Sequence, residues 1–187
     1  TYMSGIVNES DNVHLGGYPG PLREMAGVWV EEIDALAPEQ TNEVKFTDGT
    51  TASCNLLCDL MHLEGAEALA TYEKDFYAGM PAATRNTYGE GAAYYVGTQM
   101  DAAGLAKVLD RAVSEVGVKA VIPETTGLEV TCRTSDDTRY YYVMNFKDED
   151  QILPESLAGK IDLISGEVIP AGTVLKKWDV LVLQEAK

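Results

Sequence analysis

The sequence has little of what builds metal, phosphate and nucleophilic sites, and it has few basic residues. It contains two histidines and three cysteines, and its 14 Lys and Arg residues stand against 30 Asp and Glu residues, giving a net charge of -16. Nucleic-acid backbones are held by clustered cations, so we expect no nucleic-acid partner. No apolar run approaches the roughly 20 residues of a membrane-spanning helix, so we expect no membrane partner either.

The three cysteines, Cys54, Cys58 and Cys132, cannot all pair within one chain. An odd number of cysteines in a chain of this size is typical of reduced cytosolic proteins, which predicts a cytoplasmic location. Cys54 and Cys58 are four residues apart, but no second Cys or His pair has a matching spacing, so a zinc site lacks two ligands. We interpret all three as buried apolar side chains and predict no metal or other cofactor.

The two histidines, His14 and His62, also limit nucleophilic catalysis, because a Ser or Cys nucleophile needs a nearby base and no G-x-S-x-G elbow is present. The densest acidic groups are Glu31-Glu32-Asp34 and Glu64 to Glu67. Neighbouring residues of a strand point to opposite faces, which argues against a convergent carboxylate pair at the first group. We interpret these acids as solvated and predict no catalytic, cofactor-binding or metal-binding residue.

Glycine turns predict two β-hairpins in the first part of the chain. The turns are Asp48-Gly49 and Gly89-Glu90-Gly91, each between runs rich in strand-forming residues. The predicted strands are 42–46 and 51–61 around the first turn, and 81–88 and 92–98 around the second.

Residues outside the hairpins predict one long helix and several shorter elements. Asp101 is a good N-cap, apolar residues follow at helical spacing, and Gly117 closes the helix. Further predictions are strands at 1–7, 28–34 and 68–72 and a short helix at 22–26. The strand at 1–7 has no preceding element to pair with, so we expect a fragment of a longer protein.

Residues 123–127, Pro-Glu-Thr-Thr-Gly, predict a linker. After it the pattern changes to short strands and turns, which indicates a small antiparallel module. Its predicted strands are 128–134, 139–146, 151–153, 161–164, 167–169 and 180–183.

Several short blocks of the sequence are more informative than the strands and turns that they predict. The run from Ala70 to Thr98 joins an aromatic and acidic cluster, Tyr72 to Tyr77, to Gly-Met-Pro-Ala, Thr-Arg-Asn, Tyr-Gly-x-Gly and Tyr-Tyr-Val-Gly-Thr. This run resembles the non-catalytic trimerisation domain of bacterial β-galactosidases of glycoside hydrolase family 42. Residues 127–131 and 143–146 are similar to the C-terminal β domain of that family. Further blocks that resemble the trimerisation domain are YMSGIVNE at 2–9, GGYPGPLR at 16–23, EEIDAL at 31–36 and GAE at 65–67.

The resemblance implies an α/β fold: part of a flavodoxin-like, class I glutamine amidotransferase-like domain at 1–122, followed by a small antiparallel all-β domain at 123–187. It also implies a homotrimeric parent enzyme that hydrolyses β-galactosides with retention, using two glutamates of a TIM barrel. That barrel and the first half of the trimerisation domain are missing here, so we expect these residues alone to be inactive. Substrate would be bound only through the barrel. The zinc-binding cysteines of some family members also belong to it, so the cysteines here do not inherit that role.

Two other classes stay open. In a carbohydrate-binding accessory module, the tyrosines and Trp29 or Trp178 would stack on sugar rings, although aromatic side chains in strands more often belong to the core. An amidotransferase-like enzyme would need a reactive cysteine at a strand-to-helix turn, whereas Cys54 and Cys58 lie on a predicted hairpin strand. Half a sheet would leave an unpaired strand edge, so we expect the isolated chain to self-associate or exchange strands.

Overall fold

The structure is a computed structural model that describes residues 1–124 and 126–186. It divides the chain into two compact units, Thr1–Val118 and Lys119–Lys187. The domain boundary expected between residues 122 and 123 stays a prediction. Of the helices that the described residues form, none combines the length and the apolar character needed to cross a lipid bilayer.

A seven-stranded sheet with antiparallel pairing builds the first unit. Its order is β1-β3-β2-β4-β5-β6, with β7 paired to β3. The strands are β1 Val28–Ala35, β2 Asn42–Phe46, β3 Thr51–Leu63, β4 Glu67–Tyr72, β5 Pro81–Tyr88, β6 Gly91–Val96 and β7 Thr98–Met100. A 3-10 turn at Gly20–Leu22 and helix α1 at Arg23–Ala26 precede the sheet, and helix α2 at Ala102–Glu115 follows it.

Both predicted hairpins are confirmed. At the first turn Gly49 has a φ of 86°, a backbone conformation that L side chains rarely adopt, and the Asp48 carboxylate accepts a hydrogen bond from the Thr50 N–H at 3.0 Å. At the second turn Gly89 has a φ of 58°, and the register runs without a break from Tyr88 opposite Gly91 to the far end of the pair. The chain therefore reverses where its turn chemistry predicts.

The predicted long helix, α2, is also confirmed at both ends. The Asp101 carboxylate accepts hydrogen bonds from the N–H groups of Gly104, at 2.8 Å, and Ser53, at 3.0 Å, so one side chain caps the helix and ties it to β3. Gly117, with a φ of 67°, follows the last turn. Val108 is buried in the core that the helix shares with the sheet.

The predicted flavodoxin-like α/β, class I glutamine amidotransferase-like fold of residues 1–122 is wrong. A parallel sheet needs a crossover of a dozen or more residues between successive strands, usually a helix. Successive strands here are joined mainly by hairpins and short connections, and among the described residues α2 is the only α-helix longer than four residues. The sheet is therefore antiparallel, as its registers show.

The strand predicted at 1–7 is also wrong. Met3 and Gly5 both have φ values of 64°, which breaks an extended conformation, and only an isolated bridge between Val7 and Val13 forms. The segment forms a series of turns instead. The helix predicted at 22–26 and the strands predicted at 28–34 and 68–72 are confirmed within two residues at each end.

The second unit holds a four-stranded antiparallel sheet of order β11-β13-β9-β8 and a two-stranded pair, β10-β12. The strands are β8 Glu129–Thr134, β9 Thr138–Met144, β10 Gln151–Ile152, β11 Ile161–Asp162, β12 Val174–Leu175 and β13 Val180–Ala186, with a 3-10 turn at Glu155–Leu157. The strand predicted at 167–169 is reduced to one bridge between Val168 and Ile161. Strand β12 was not predicted. The core of this unit is formed by Ile122, Leu128, Tyr141, Val143, Leu153, Leu157, Ile169, Leu175 and Leu183.

Candidate functional site

Two carboxylates are buried among the described residues, Asp59 in the first unit and Asp162 in the second. Asp162 accepts hydrogen bonds from the Ser165 hydroxyl, at 2.8 Å, and the Val182 N–H, at 3.0 Å, so it closes a turn. These and other backbone donors hold the pKa of Asp162 below its ordinary value, although burial opposes them as the largest single contribution. Asp162 is therefore a structural carboxylate.

Asp59 has the most unusual electrostatic setting in the first unit. It lies on β3 with none of its surface exposed, and its two carboxylate oxygens accept hydrogen bonds from the hydroxyls of Tyr18, at 2.8 Å, and Tyr95, at 2.9 Å. Burial raises the pKa of Asp59 to about 6, against the lowering effect of both hydroxyls. The carboxylate joins the N-terminal segment, through Tyr18, to β3 and β6.

This tyrosine–carboxylate cluster was not predicted from the sequence. A signal was present: Asp59 sits in the run Cys58-Asp59-Leu60-Met61, whose other members are apolar and buried. A single charged residue in such a run needs buried donors. Sequence alone could not supply the donors, because Tyr18 and Tyr95 lie 41 and 36 residues away along the chain.

Two of the cysteines form a second buried cluster. Cys54 and Cys58 are almost wholly buried on β3, which confirms their interpretation as core residues, whereas Cys132 is only half-buried and that part of the interpretation is wrong. Between them Leu56 has a φ of 69° and the pairing with β7 shifts register, so Cys54 and Cys58 face Met100 and Thr98. The Cys58 Sγ lies 3.8 Å from the Thr98 hydroxyl. The neighbouring Cys58 side chain and burial raise the pKa of Cys54 above its ordinary value, so this thiol stays protonated. The surroundings of both thiols exclude solvent.

The residues weighed as catalytic candidates are not brought together. The His62 ring bonds the Glu31 carboxylate at 2.7 Å and stacks on Trp29 with ring centroids 4.8 Å apart, so its partners are a carboxylate and an indole and not a serine or cysteine. Two nitrogens of the Arg23 guanidinium donate hydrogen bonds to the two oxygens of the Glu64 carboxylate. Among residues 1–124 and 126–186, no group of three or more His, Cys, Asp or Glu side chains is arranged to hold a metal ion.

The comparisons with known proteins cover nearly the whole chain. Residues 1–119 match the family model described as the beta-galactosidase trimerisation domain, and residues 127–185 match the beta-galactosidase C-terminal domain. Beta-galactosidase LacA of Lactobacillus acidophilus is 44% identical over 185 residues, which is 98% of this chain and 27% of that protein. Beta-galactosidase BgaA of Planococcus sp. is 43% identical over 98% of this chain and 28% of its own length.

A solved structure agrees. The crystal structure of beta-galactosidase from Bacillus circulans sp. alkalophilus superposes with a TM-score of 0.86 at 39% identity, covering 99% of this chain and 28% of that one. The fold and these matches define the class, which is part of a glycoside hydrolase. More specifically, the chain belongs to the β-galactosidase family whose trimerisation and C-terminal domains its two parts match, and it spans about 28% of the length of these relatives.

Proposed function

We propose that this chain is the oligomerising and structural portion of a β-galactosidase that hydrolyses terminal β-D-galactosides. The observation that carries the proposal is the order of the two family matches, which together account for most of the chain. Catalysis by retention belongs, in this proposal, to two glutamates of a TIM barrel outside residues 1–187, so no residue here receives a catalytic role.

The side-chain geometry supports the assignment of catalysis to a part of the protein outside residues 1–187. A retaining glycosidase needs two carboxyl groups about 5 to 5.5 Å apart, facing a cleft that a sugar can enter. The buried carboxylates here lie in different units, and each is occupied by hydroxyl or backbone donors. The two densest acidic groups of the sequence have other partners: Glu31 of the first group binds His62, and Glu64 of the second binds Arg23.

The proposal includes a homotrimer of the parent enzyme and a cytoplasmic location. The trimer is supported by the description of the family model, which names a trimerisation domain. The location is supported by the cysteines, which are free. Light scattering of the full-length protein should give three times the mass of one chain. For residues 1–187 alone we expect self-association or strand exchange, and a monomer at every concentration would contradict that expectation.

Activity is tested by comparing two proteins on one chromogenic β-galactoside. The full-length protein that carries residues 1–187 should release the chromophore, and residues 1–187 alone should not. Release by the shorter protein, freed of contaminating activity by a second purification step, would overturn the assignment. An inactive full-length protein that turns over other β-glycosides would overturn the choice of substrate.

A further inference from the structure

The turn between β2 and β3 contains a dipeptide that can rearrange chemically. Asp48-Gly49 is the only Asp-Gly pair in the sequence, which contains no Asn-Gly pair. An aspartate before glycine can isomerise, because glycine has no side chain to hinder attack by its backbone nitrogen on the neighbouring carboxyl carbon. This turn is therefore the position at which the sequence most favours that reaction.

The reaction proceeds through a five-membered ring and needs only water. The Gly49 nitrogen bonds to the carboxyl carbon of Asp48 and loses its proton, and the carboxyl hydroxyl leaves as water, which gives a succinimide. Water then adds to one ring carbonyl and breaks the bond from that carbonyl to nitrogen. Opening at the side-chain carbonyl restores aspartate, whereas opening at the main-chain carbonyl gives isoaspartate. The product has the same mass, and its backbone runs through the former side chain.

Both groups that would close this ring are engaged elsewhere in the folded chain. The Asp48 Oδ1 accepts hydrogen bonds from the Thr50 N–H, at 3.0 Å, and from the Thr50 hydroxyl, at 2.6 Å, and Oδ2 pairs with the Lys107 ammonium. The Gly49 N–H donates to the carbonyl of Phe46 at 2.9 Å. Ring closure requires the carboxyl group to leave its donors and the Gly49 nitrogen to leave its acceptor.

Lys107 reaches this turn from the helix that packs on the sheet. It lies on α2, donates to the Thr50 hydroxyl at 2.5 Å and places its ammonium 5.2 Å from the centre of the Phe46 ring. Ring closure uses the protonated carboxyl, because its hydroxyl must leave as water. Lys107 and the two Thr50 donors hold the pKa of Asp48 well below its ordinary value. The helix therefore keeps the carboxyl in its unreactive form as well as in place.

We propose that Asp48 is an isomerisation site, and that Lys107 and Thr50 hold back its conversion to isoaspartate as long as α2 stays on the sheet. Isoaspartate adds one backbone carbon to a turn whose ends are joined by the Phe46 N–H and the Thr50 carbonyl at 2.8 Å. It also replaces the side-chain carboxylate that Lys107 binds. A chain that isomerises while unfolded therefore refolds to a less stable first unit. No ligand or partner protein takes part in the reaction.

The test is peptide mapping of the full-length protein that carries residues 1–187, after ageing in neutral buffer and in guanidinium chloride. The tryptic peptide 46–74 contains the site. Isoaspartate leaves its mass unchanged, shifts its chromatographic retention and blocks cleavage before residue 48 by a protease that cuts at aspartate. Denatured wild type should accumulate isoaspartate at least about tenfold faster than folded wild type, because freeing the backbone of one residue amounts to about that factor. Equal rates would overturn the proposal without any variant.

Three variants locate the protection. Lys107→Ala should raise the rate in the folded protein about two- to fivefold, the range expected for an ion pair at this exposure, and should leave the rate in guanidinium chloride unchanged. Arg111→Ala is the matched control and should age like wild type, since Arg111 lies one turn further along α2 and pairs with Glu67. An equal rise in both variants would overturn the role of Lys107. Asp48→Glu keeps a carboxylate that cannot close a five-membered ring, so isoaspartate in its peptide would overturn the site.

Discussion

The buried carboxylate of Asp59 should make the first unit less stable as pH rises through mild acidity. Its pKa is about 6 in the folded chain, and an unfolded aspartate titrates near 3.9, so the folded state prefers the protonated acid. The difference corresponds to about 3 kcal/mol. That contribution is present in full below about pH 4 and is lost progressively as pH rises to about 6.

The measurement is the difference in free energy of unfolding between Asp59→Asn and the wild-type side chain. Asparagine keeps the shape but does not titrate, and its amide has one acceptor oxygen where the carboxylate has two. The protonated carboxyl that wild type carries near pH 4 likewise has one full acceptor oxygen and one donor. The variant should therefore be close to wild type in stability near pH 4. Between pH 4 and 7 it should gain about 3 kcal/mol relative to wild type.

Denaturant unfolding in a Trp178→Phe background provides the assay, because Trp29 then reports on the first unit alone. Other acids lose stabilising partners at low pH: the Arg85 guanidinium, for example, lowers the pKa of Glu115 to about 2. Their contribution is common to both proteins and cancels in the difference. A difference that does not change with pH, or one that favours wild type more strongly at pH 7 than at pH 4, would refute the account of Asp59.

Three further predictions concern packing and capping. Gly104→Ala should destabilise the fold by about 1 to 3 kcal/mol, because the added Cβ would lie 2.6 Å from the Cβ of Ala52. A thermal scan should show a lower melting temperature; a higher melting temperature would mean that α2 can shift away from β3. Asp101→Ala should cost about 1 to 2 kcal/mol in denaturant unfolding through loss of the α2 cap. Asp101→Asn should recover only part of that cost, because its single amide oxygen can accept from Gly104 or from Ser53 but not from both. Asn145→Ala should lower the free energy of unfolding by about 1 to 3 kcal/mol, because it leaves the carbonyls of Glu149 and Leu175 without their donor. Trp178 fluorescence measures the unfolding transition, and an unchanged transition would contradict the role of Asn145 in joining the segments that contain these two carbonyls.

Local chemistry predicted much of the secondary structure. Asp48-Gly49, Gly89 and Asp101 act within a few residues of themselves, so the turns and the cap they specify could be found without knowing the tertiary fold. The segment at 1–7 shows the limit of propensity, because Met3 adopts a positive φ that its side chain does not favour.

The sheet order and the buried polar clusters depend on distant residues. The expected α/β fold of the first unit rested on the family resemblance alone. The sequence itself predicted one long helix, and a parallel sheet of several strands needs a crossover helix between most successive strands. Asp59 meets Tyr18 and Tyr95 only once three elements are assembled. Periodicity cannot reveal such a meeting, because it records which side of a strand a residue occupies and not what lies opposite.

Strand β3 imposes an order of events on synthesis of the chain. Its thirteen residues pair with β2 just before it, with β1 before that, and with β7, where Cys54 lies opposite Met100. A ribosome releases residues in sequence, so β3 emerges with β1 and β2 but must wait for some forty residues more before β7 can join it. Until then Cys54 and Cys58 lack their cover, and the nascent chain carries two accessible thiols that the finished protein conceals.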